Sequence, residues 1–421
     1  MTLTKLSYYP TVSEVEAAAT RLQEVVYKSP FMHSLTYSDS MQAAIYLKRE
    51  DLQQVRSYKI RGAFNKMATL TKTQQQCGVV CASAGNHAQG VAFACAYLKV
   101  KGTLFMPITT PQQKVAQVRM FGRDWIDIEL VGDTFDDAFA KAKTFESNTK
   151  ATFIHPFDDS RIIEGQATVG LEMIAQAPKP LDYVFVPVGG GGLLSGLSSV
   201  FAQLSPLTKI IGVEPAGAPA MKTSLAKGKN HTLAHIDKFV DGAAVQRVGD
   251  LNFDICKQFV DEVVTVDEGE VCQTILDMYN QNAMVVEPAG ALSIAVLKQF
   301  ESRLKGKQVG CVISGSNNDI TRTAEIKERA LIHSKLKHYF IVKFPQRAGA
   351  LKEFVANVLG PDDDITFFEY SKKTSREQGP AVVGILLKNA VDLSPLIQRM
   401  KAASFYGEYL NDKPDLFEFL V

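Results

Sequence analysis

The chain has 421 residues, 46% of them hydrophobic, with a formal net charge of +1. That length asks for more than one domain, at about 100–200 residues each. Near-neutral charge without a basic stripe or a like-charge block argues against nucleic-acid binding, and no apolar run reaches the roughly 18–20 residues of a membrane span. The first ten residues, MTLTKLSYYP, lack the apolar core of a signal peptide. The six cysteines (Cys77, Cys81, Cys95, Cys256, Cys272 and Cys311) have no zinc-site spacing. These features predict a soluble cytoplasmic protein with reduced thiols.

Residues 11–27 predict a capped amphipathic helix, with Val15, Ala18, Ala19, Leu22, Val25 and Val26 at helical spacing. Ala44 to Leu47 reads as a short strand, followed by the charged and polar run Lys48 to Gln53. Then comes Ser57-Tyr58-Lys59-Ile60-Arg61-Gly62-Ala63, and a helix from Ala63 to Leu70. From Gly78 to about Gly315, apolar runs at 79–81, 103–106, 125–130, 183–186, 210–213 and 309–313 alternate with helical patterns at 112–121, 134–147, 161–176 and 193–204. Such alternation predicts mostly parallel, buried sheet with helices on both faces. Ligands in such sheets bind beyond the carboxyl ends of the strands. Asp133, Asp136 and Asp137 read as the first turn of a solvated helix. Past residue 325 the pattern changes. A charged bridge at 326–337 leads into a β-α-β-β-α-β order over 338–421, with a polar turn at Ser371 to Pro380. That order is a ferredoxin-like split unit.

Four stretches carry chemistry, each tied to a strand end. Lys59 sits near a strand-to-helix junction. Ser83-Ala84-Gly85-Asn86-His87 follows Val79-Val80-Cys81 and opens a helix whose free N–H groups suit an anion. Gly189-Gly190-Gly191-Gly192-Leu193 follows another strand, and its glycines let main-chain amides close around a phosphate. The glycine spacing departs from the dinucleotide fingerprint, and no Gly-Lys-Ser/Thr marks a nucleotide loop. Ser314-Gly315 follows a further strand, where a hydroxyl can face a heteroaromatic nitrogen. Glu287-Pro288-Ala289-Gly290 starts a helix, where a carboxylate is favoured. Whether Glu287 is a cap or a functional group stays open. One lysine, one asparagine loop, one phosphate cup and one Ser-Gly loop together fit a pyridoxal phosphate site.

These four motifs, in this order, resemble the fold type II pyridoxal-phosphate dehydratases, the threonine dehydratases above all, over roughly residues 10–330. The tail, with Pro345-Gln346-Arg347-Ala348-Gly349-Ala350-Leu351 at its first turn, resembles the single ACT-like regulatory domain of short biosynthetic forms. The resemblance implies a catalytic domain at 1–325 built of two open twisted parallel sheets, one in a smaller subdomain around 55–155. It implies a linker at 326–337 and an α+β ACT-like domain at 338–421. It implies Lys59 as the Schiff-base lysine, Asn86 at the cofactor 3′-hydroxyl, Gly189, Gly190, Gly191, Gly192 and Leu193 around the phosphate, and Ser314 at the pyridine nitrogen. Tyr58 and Gly242 flank the ring, and Ser83, Ala84, Gly85 and His87 hold the substrate carboxylate.

L-threonine is the expected substrate, with L-serine secondary. Isoleucine, with valine beside it, is the expected effector, and a homotetramer the expected assembly. Two departures from relatives of the racemase type matter. Ala84 stands where racemases carry a second serine, so Lys59 alone can move the Cα proton. Ala220 stands where their metal site, which begins at a residue resembling Glu214, has aspartate; no metal is expected. Three alternatives have separate signatures. A catabolic serine/threonine dehydratase would lack the regulatory tail. A nicotinamide oxidoreductase would need the missing glycine spacing. A non-catalytic amino-acid sensor would have lost the lysine.

Overall fold

The apolar runs become two separate sheets in the computed structural model, which describes residues 8–370, 378–413 and 416–417. The chain divides into two units after Ile320. The strands of the first unit are β1 (Phe31–His33), β2 (Ala44–Arg49), β3 (Val79–Ala82), β4 (Gly102–Met106), β5 (Ile126–Leu130), β6 (Thr152–Phe153), β7 (Tyr183–Pro187), β8 (Lys209–Pro215), β9 (Glu262–Val266) and β10 (Gln308–Ile313). The larger sheet runs β1-β2-β10-β7-β8-β9 and the smaller β5-β4-β3-β6. Only the β1–β2 pairing is antiparallel.

Helices cover both faces, so strands such as β3 and β7 are buried along nearly their whole length. Ile313 lies opposite Arg49, and Ala82 opposite Phe105. The carboxyl ends of β2, β3, β7 and β10 each lead into one of the four motifs.

Several elements differ from expectation. The helix expected from Ala63 begins at Lys59 and runs to Ala68, so the lysine occupies its first turn. Arg61 lies in the same first turn, and its side chain is completely buried. Its guanidinium donates to both oxygens of Glu50 (2.8 and 2.8 Å), to Glu172 (2.7 Å) and to Thr168 (3.0 Å). Lys48 joins the same network, donating to Glu172 at 2.5 Å and to the Ser29 carbonyl at 2.8 Å. β1 and β6 are only three and two residues long, too short for periodicity to register.

The helix Phe135–Thr149 carries Asp136 and Asp137 in its first turn, with Asp137 closing a capping box on Thr134. Five of the six cysteines are buried and all are free thiols; Cys77 is exposed. Among the described residues no helix is long and apolar enough to cross a membrane.

In the second unit β11 (Lys337–Pro345), β12 (Asp364–Tyr370), β13 (Gln378–Leu386) and β14 (Tyr406–Tyr409) form an antiparallel sheet in the order β12-β13-β11-β14. Helices Ala350–Asn357 and Leu393–Ala402 pack Phe354, Leu396 and Met400 onto Phe340, Val342 and Phe344. This is the ferredoxin-like order. Most of the polar turn expected at Ser371 to Pro380 lies outside the described residues.

The stretch read as a linker holds the helix Thr323–His333, which belongs to this unit. Glu328 accepts from Tyr339 Oη and Lys337 Nζ, each at 2.6 Å, and Ile326 and Ala330 are buried.

Candidate active site

Lys59 stands at the helix start because the preceding loop is laced to the end of β10. Ser57 bridges Gly315, Tyr58 N donates to the Ser314 carbonyl at 3.2 Å, and Ser316 N donates to the Arg56 carbonyl at 2.9 Å. Lys59 Nζ donates to the Pro156 carbonyl at 2.9 Å and lies 5.5 Å from the centre of the Tyr58 ring. Burial lowers its pKa to about 8, against the opposing pull of Glu287. At pH 7 roughly a tenth is therefore free amine, far more than for an ordinary lysine.

The glycine stretch follows β7 and opens the helix Gly192–Leu204, which has no side-chain cap. Its first N–H groups therefore lack intrahelical acceptors. Gly191 has φ +95°, and a Cβ at Gly190 would lie 2.2 Å from the Phe157 ring. The back of the cup is clamped. Gly190 O accepts from Gly249 N (3.0 Å) and from Asn252 Nδ2 (2.9 Å), and Asn252 Nδ2 also donates to Phe157 O (3.1 Å). Leu193 is buried beneath the first turn.

Asn86 opens the helix Asn86–Leu98. Its Nδ2 donates to Glu287 Oε1 and Oε2 (2.7 and 3.0 Å), and its Oδ1 accepts from Asn317 Nδ2 at 2.5 Å. Burial raises Glu287 to about 7, despite the Asn86 hydrogen bond. Ser314 is buried directly after β10. A Cβ on Gly315 would meet Glu287 Oε1 at 2.5 Å, and one on Gly242 would meet it at 3.5 Å. A Cβ on Gly189 would lie 3.2 Å from Gly242 O. Gly242 thus lies between the glycine cup and Glu287.

Ser83 Oγ accepts from Gly85 N at 3.2 Å, Ala84 packs on the apolar core, and a Cβ at Gly85 would enter open space. His87 is turned inward. Its Nε2 lies 2.8 Å from the Ile154 carbonyl, and burial lowers the ring to about 3, so it is neutral and offers the loop its main chain.

The structure therefore joins Lys59, Tyr58, Asn86, Gly189 to Gly192, Gly242 and Ser314 through shared neighbours. It adds Pro156, Phe157, Asn252, Asn317 and Glu287. Of these, Glu287 carried a sequence signal in its place at a helix start, and Asn317 in the Ser314-Gly315-Ser316-Asn317 stretch after a strand. Glu214 is set apart: its oxygens accept from Met221 N (2.7 Å) and Lys222 N (2.9 Å). Among the described residues no group of three or more His, Cys, Asp or Glu is placed to hold a metal ion.

Residues 22–315 match the pyridoxal-phosphate dependent enzyme family, and residues 328–420 match the C-terminal regulatory domain of threonine dehydratase. The chain is 51% identical over 410 residues to L-threonine dehydratase biosynthetic IlvA of Halalkalibacterium halodurans, covering 97% of this chain and 99% of that one. It belongs to the biosynthetic threonine dehydratase family. The Bacillus subtilis member is likewise 51% identical over 410 residues, covering 97% of both chains. The solved structure of processed threonine deaminase isoform 2 from Solanum lycopersicum superposes with a TM-score of 0.72 at 37% identity, over 77% of this chain and 90% of that one.

Threonine dehydratases of this family are fold type II enzymes that depend on pyridoxal phosphate. The residues present suit that group. The uncapped helix start behind Gly190, whose missing Cβ leaves the space taken by Phe157, fits a phosphate. An amine with a pKa of about 8 suits bonding to an aldehyde.

Proposed function

We propose that this threonine dehydratase converts L-threonine to 2-oxobutanoate and ammonia, the first step of isoleucine biosynthesis. The observation that carries the reading is Lys59: a half-buried amine lowered to about 8, hydrogen-bonded to the Pro156 carbonyl and in the loop laced to the end of β10. When bound, pyridoxal phosphate supplies an electron sink for the charge left at the substrate α-carbon.

This chain's own groups do the rest. Lys59 would hold the cofactor aldehyde until the substrate amine takes its place there, and the freed amine would then take the Cα proton at Nζ. The main-chain N–H groups of Gly189 to Leu193 hold the phosphate. Asn86 faces the 3′-hydroxyl, Ser314 faces the ring nitrogen, and Tyr58 and Gly242 flank the ring. Ser83, Ala84, Gly85 and the His87 main chain hold the substrate carboxylate. A serine hydroxyl does not keep the ring nitrogen protonated as a carboxylate would, which favours prompt loss of the β-hydroxyl. Water lost in the first half of the reaction returns in the hydrolysis that frees ammonia, so the atoms balance.

L-serine lacks one methyl group, a difference a pocket discriminates by only about 1–3 kcal/mol, and is the secondary substrate. Isoleucine, opposed by valine, regulates through the C-terminal unit; the match over 328–420 supports this. The same kinship supports a cytoplasmic homotetramer.

The test is 2-oxo acid formation from L-threonine and L-serine, with isoleucine and then valine titrated in. Threonine turnover that falls with isoleucine and recovers with valine is expected. No 2-oxo acid from either substrate overturns the reading.

A further inference from the structure

Glu287 is an ionisable group in the middle of the site to which the proposed reaction gives no task. It is 6% exposed, and both of its oxygens face the side-chain nitrogen of Asn86, at 2.7 and 3.0 Å. It lies between two loops, since a Cβ on Gly315 would crowd Oε1 at 2.5 Å and one on Gly242 would touch it at 3.5 Å. Its own main-chain N–H donates to the Gly315 carbonyl at 3.2 Å, which ties it to the loop carrying Ser314.

The two faces of an asparagine amide have nearly the same shape, so neighbours decide which way it points. An ionised carboxylate only accepts, and so only the NH2 edge of Asn86 can face it. Asn317 enforces the same choice from the other side, because its Nδ2 donates to Asn86 Oδ1 and to the Val55 carbonyl.

We propose that Glu287 is a positioning residue: one Asn86 N–H is shared between its two oxygens, which fixes the amide with its N–H edge toward Glu287 and leaves the other N–H for the cofactor's ring oxygen. The inference rests on the proposed roles of Asn86 and Lys59. A second consequence is electrostatic. The charged and titratable groups that act on Glu287 or feel it are Tyr58 and Lys59 at the head of one helix, Asp241 beside Gly242, and Lys114 from the helix Gln112–Gly122. Lys114 is already paired with Asp241 at 2.5 Å. The Glu287 carboxylate therefore acts on Lys59 to favour its cationic state.

The holoenzyme carrying Glu287→Gln tests this by two readouts. The kcat for L-threonine is expected to fall about tenfold to a hundredfold, the worth of a hydrogen bond to a charged group, with KM within about threefold. Without substrate, the pH midpoint of the bound cofactor's visible absorption is expected to move down by about one unit, because an anion that favoured the cation is gone. Glu287→Asp, which keeps the charge, is expected to recover part of kcat. In an Asn86→Ala background Glu287→Gln is expected to add no further loss.

A Glu287→Gln enzyme with unchanged kcat and unchanged midpoint overturns the proposal, as do losses that multiply in the double variant. If Glu287→Gln does not fold, Glu287→Asp decides: a loss in kcat that vanishes in the Asn86→Ala background supports it, and one that persists there overturns it. Should the unaltered enzyme form no 2-oxo acid from L-threonine, the proposed function falls, while the absorption midpoint still decides the role of Glu287.

Discussion

Lys59 and Arg61 stand two residues apart on one helix, and their surroundings treat them in opposite ways. Arg61 is buried with two carboxylates and a hydroxyl around it, and Glu50 and Glu172 hold its charge firmly in place. Lys59 Nζ has a neutral carbonyl, Pro156 O, as its hydrogen-bond partner, and burial lowers it to about 8. Burial alone thus decides little. A buried cation with paired anions is fixed structure; a buried cation without one becomes a base. The helix start is held rigid by the first so that the second can be left unsatisfied.

Removing the unsatisfied partner should have the larger effect. Lys59→Ala is expected to lower kcat for L-threonine by more than about a thousandfold, while its denaturant midpoint stays at or above that of the parent. A variant retaining near-parent turnover would remove Lys59 from its role. Arg61→Ala should do the reverse. Buried Glu50 loses its bonded counter-charge and Glu172 keeps only Lys48, and about 3–5 kcal/mol of stability should go with it, measured by urea unfolding.

The contrast can be sharpened by pH. In enzyme stripped of cofactor, the rate of pyridoxal phosphate uptake should climb with pH and level off above about 8, since the free amine is the nucleophile and its pKa lies below the ordinary lysine value of 10.5. A rate still climbing above pH 10 would mean that Lys59 is not desolvated. Glu214 is the acid counterpart. It is buried against two N–H groups with no cation bonded to it, and burial raises it from 4.5 to about 7. The folded state then binds more protons than the unfolded state between these values. The Glu214 contribution to stability should fall as pH rises from about 4.5 to 7, by about 3 kcal/mol. Glu214→Gln should flatten that slope, read by thermal unfolding across the window.

The same contrast explains what was legible in the sequence. Lys59, the Ser83 to His87 loop, Gly189 to Leu193 and Ser314 each lie in a short contiguous motif after an apolar strand, and local pattern exposes such motifs. Glu287 was visible only as a helix start, because its meaning comes from Asn86, 201 positions away. Pro156 and Asn252 had no signal, since each contributes a contact to a segment distant in the chain. The burial of Arg61 had no local signal for the same reason: one of its two carboxylate partners, Glu172, stands 111 positions on. The split β-α-β-β-α-β order of the second unit was legible because its alternation is local. The helix Thr323–His333 was read as a bridge because its charged residues outnumber the buried Ile326 and Ala330.

The glycine cup carries a consequence of a different kind. Its donors would be main-chain N–H groups, which do not titrate and survive every side-chain exchange but one to proline. Proline apart, no substitution deletes the anchor by taking something away. It can be lost only by addition: the single methyl of an alanine at Gly190 would claim the space where the Phe157 ring lies. For this part of the protein the damaging mutation is a net gain of one carbon and two hydrogens, and tolerance is measured in volume rather than in charge.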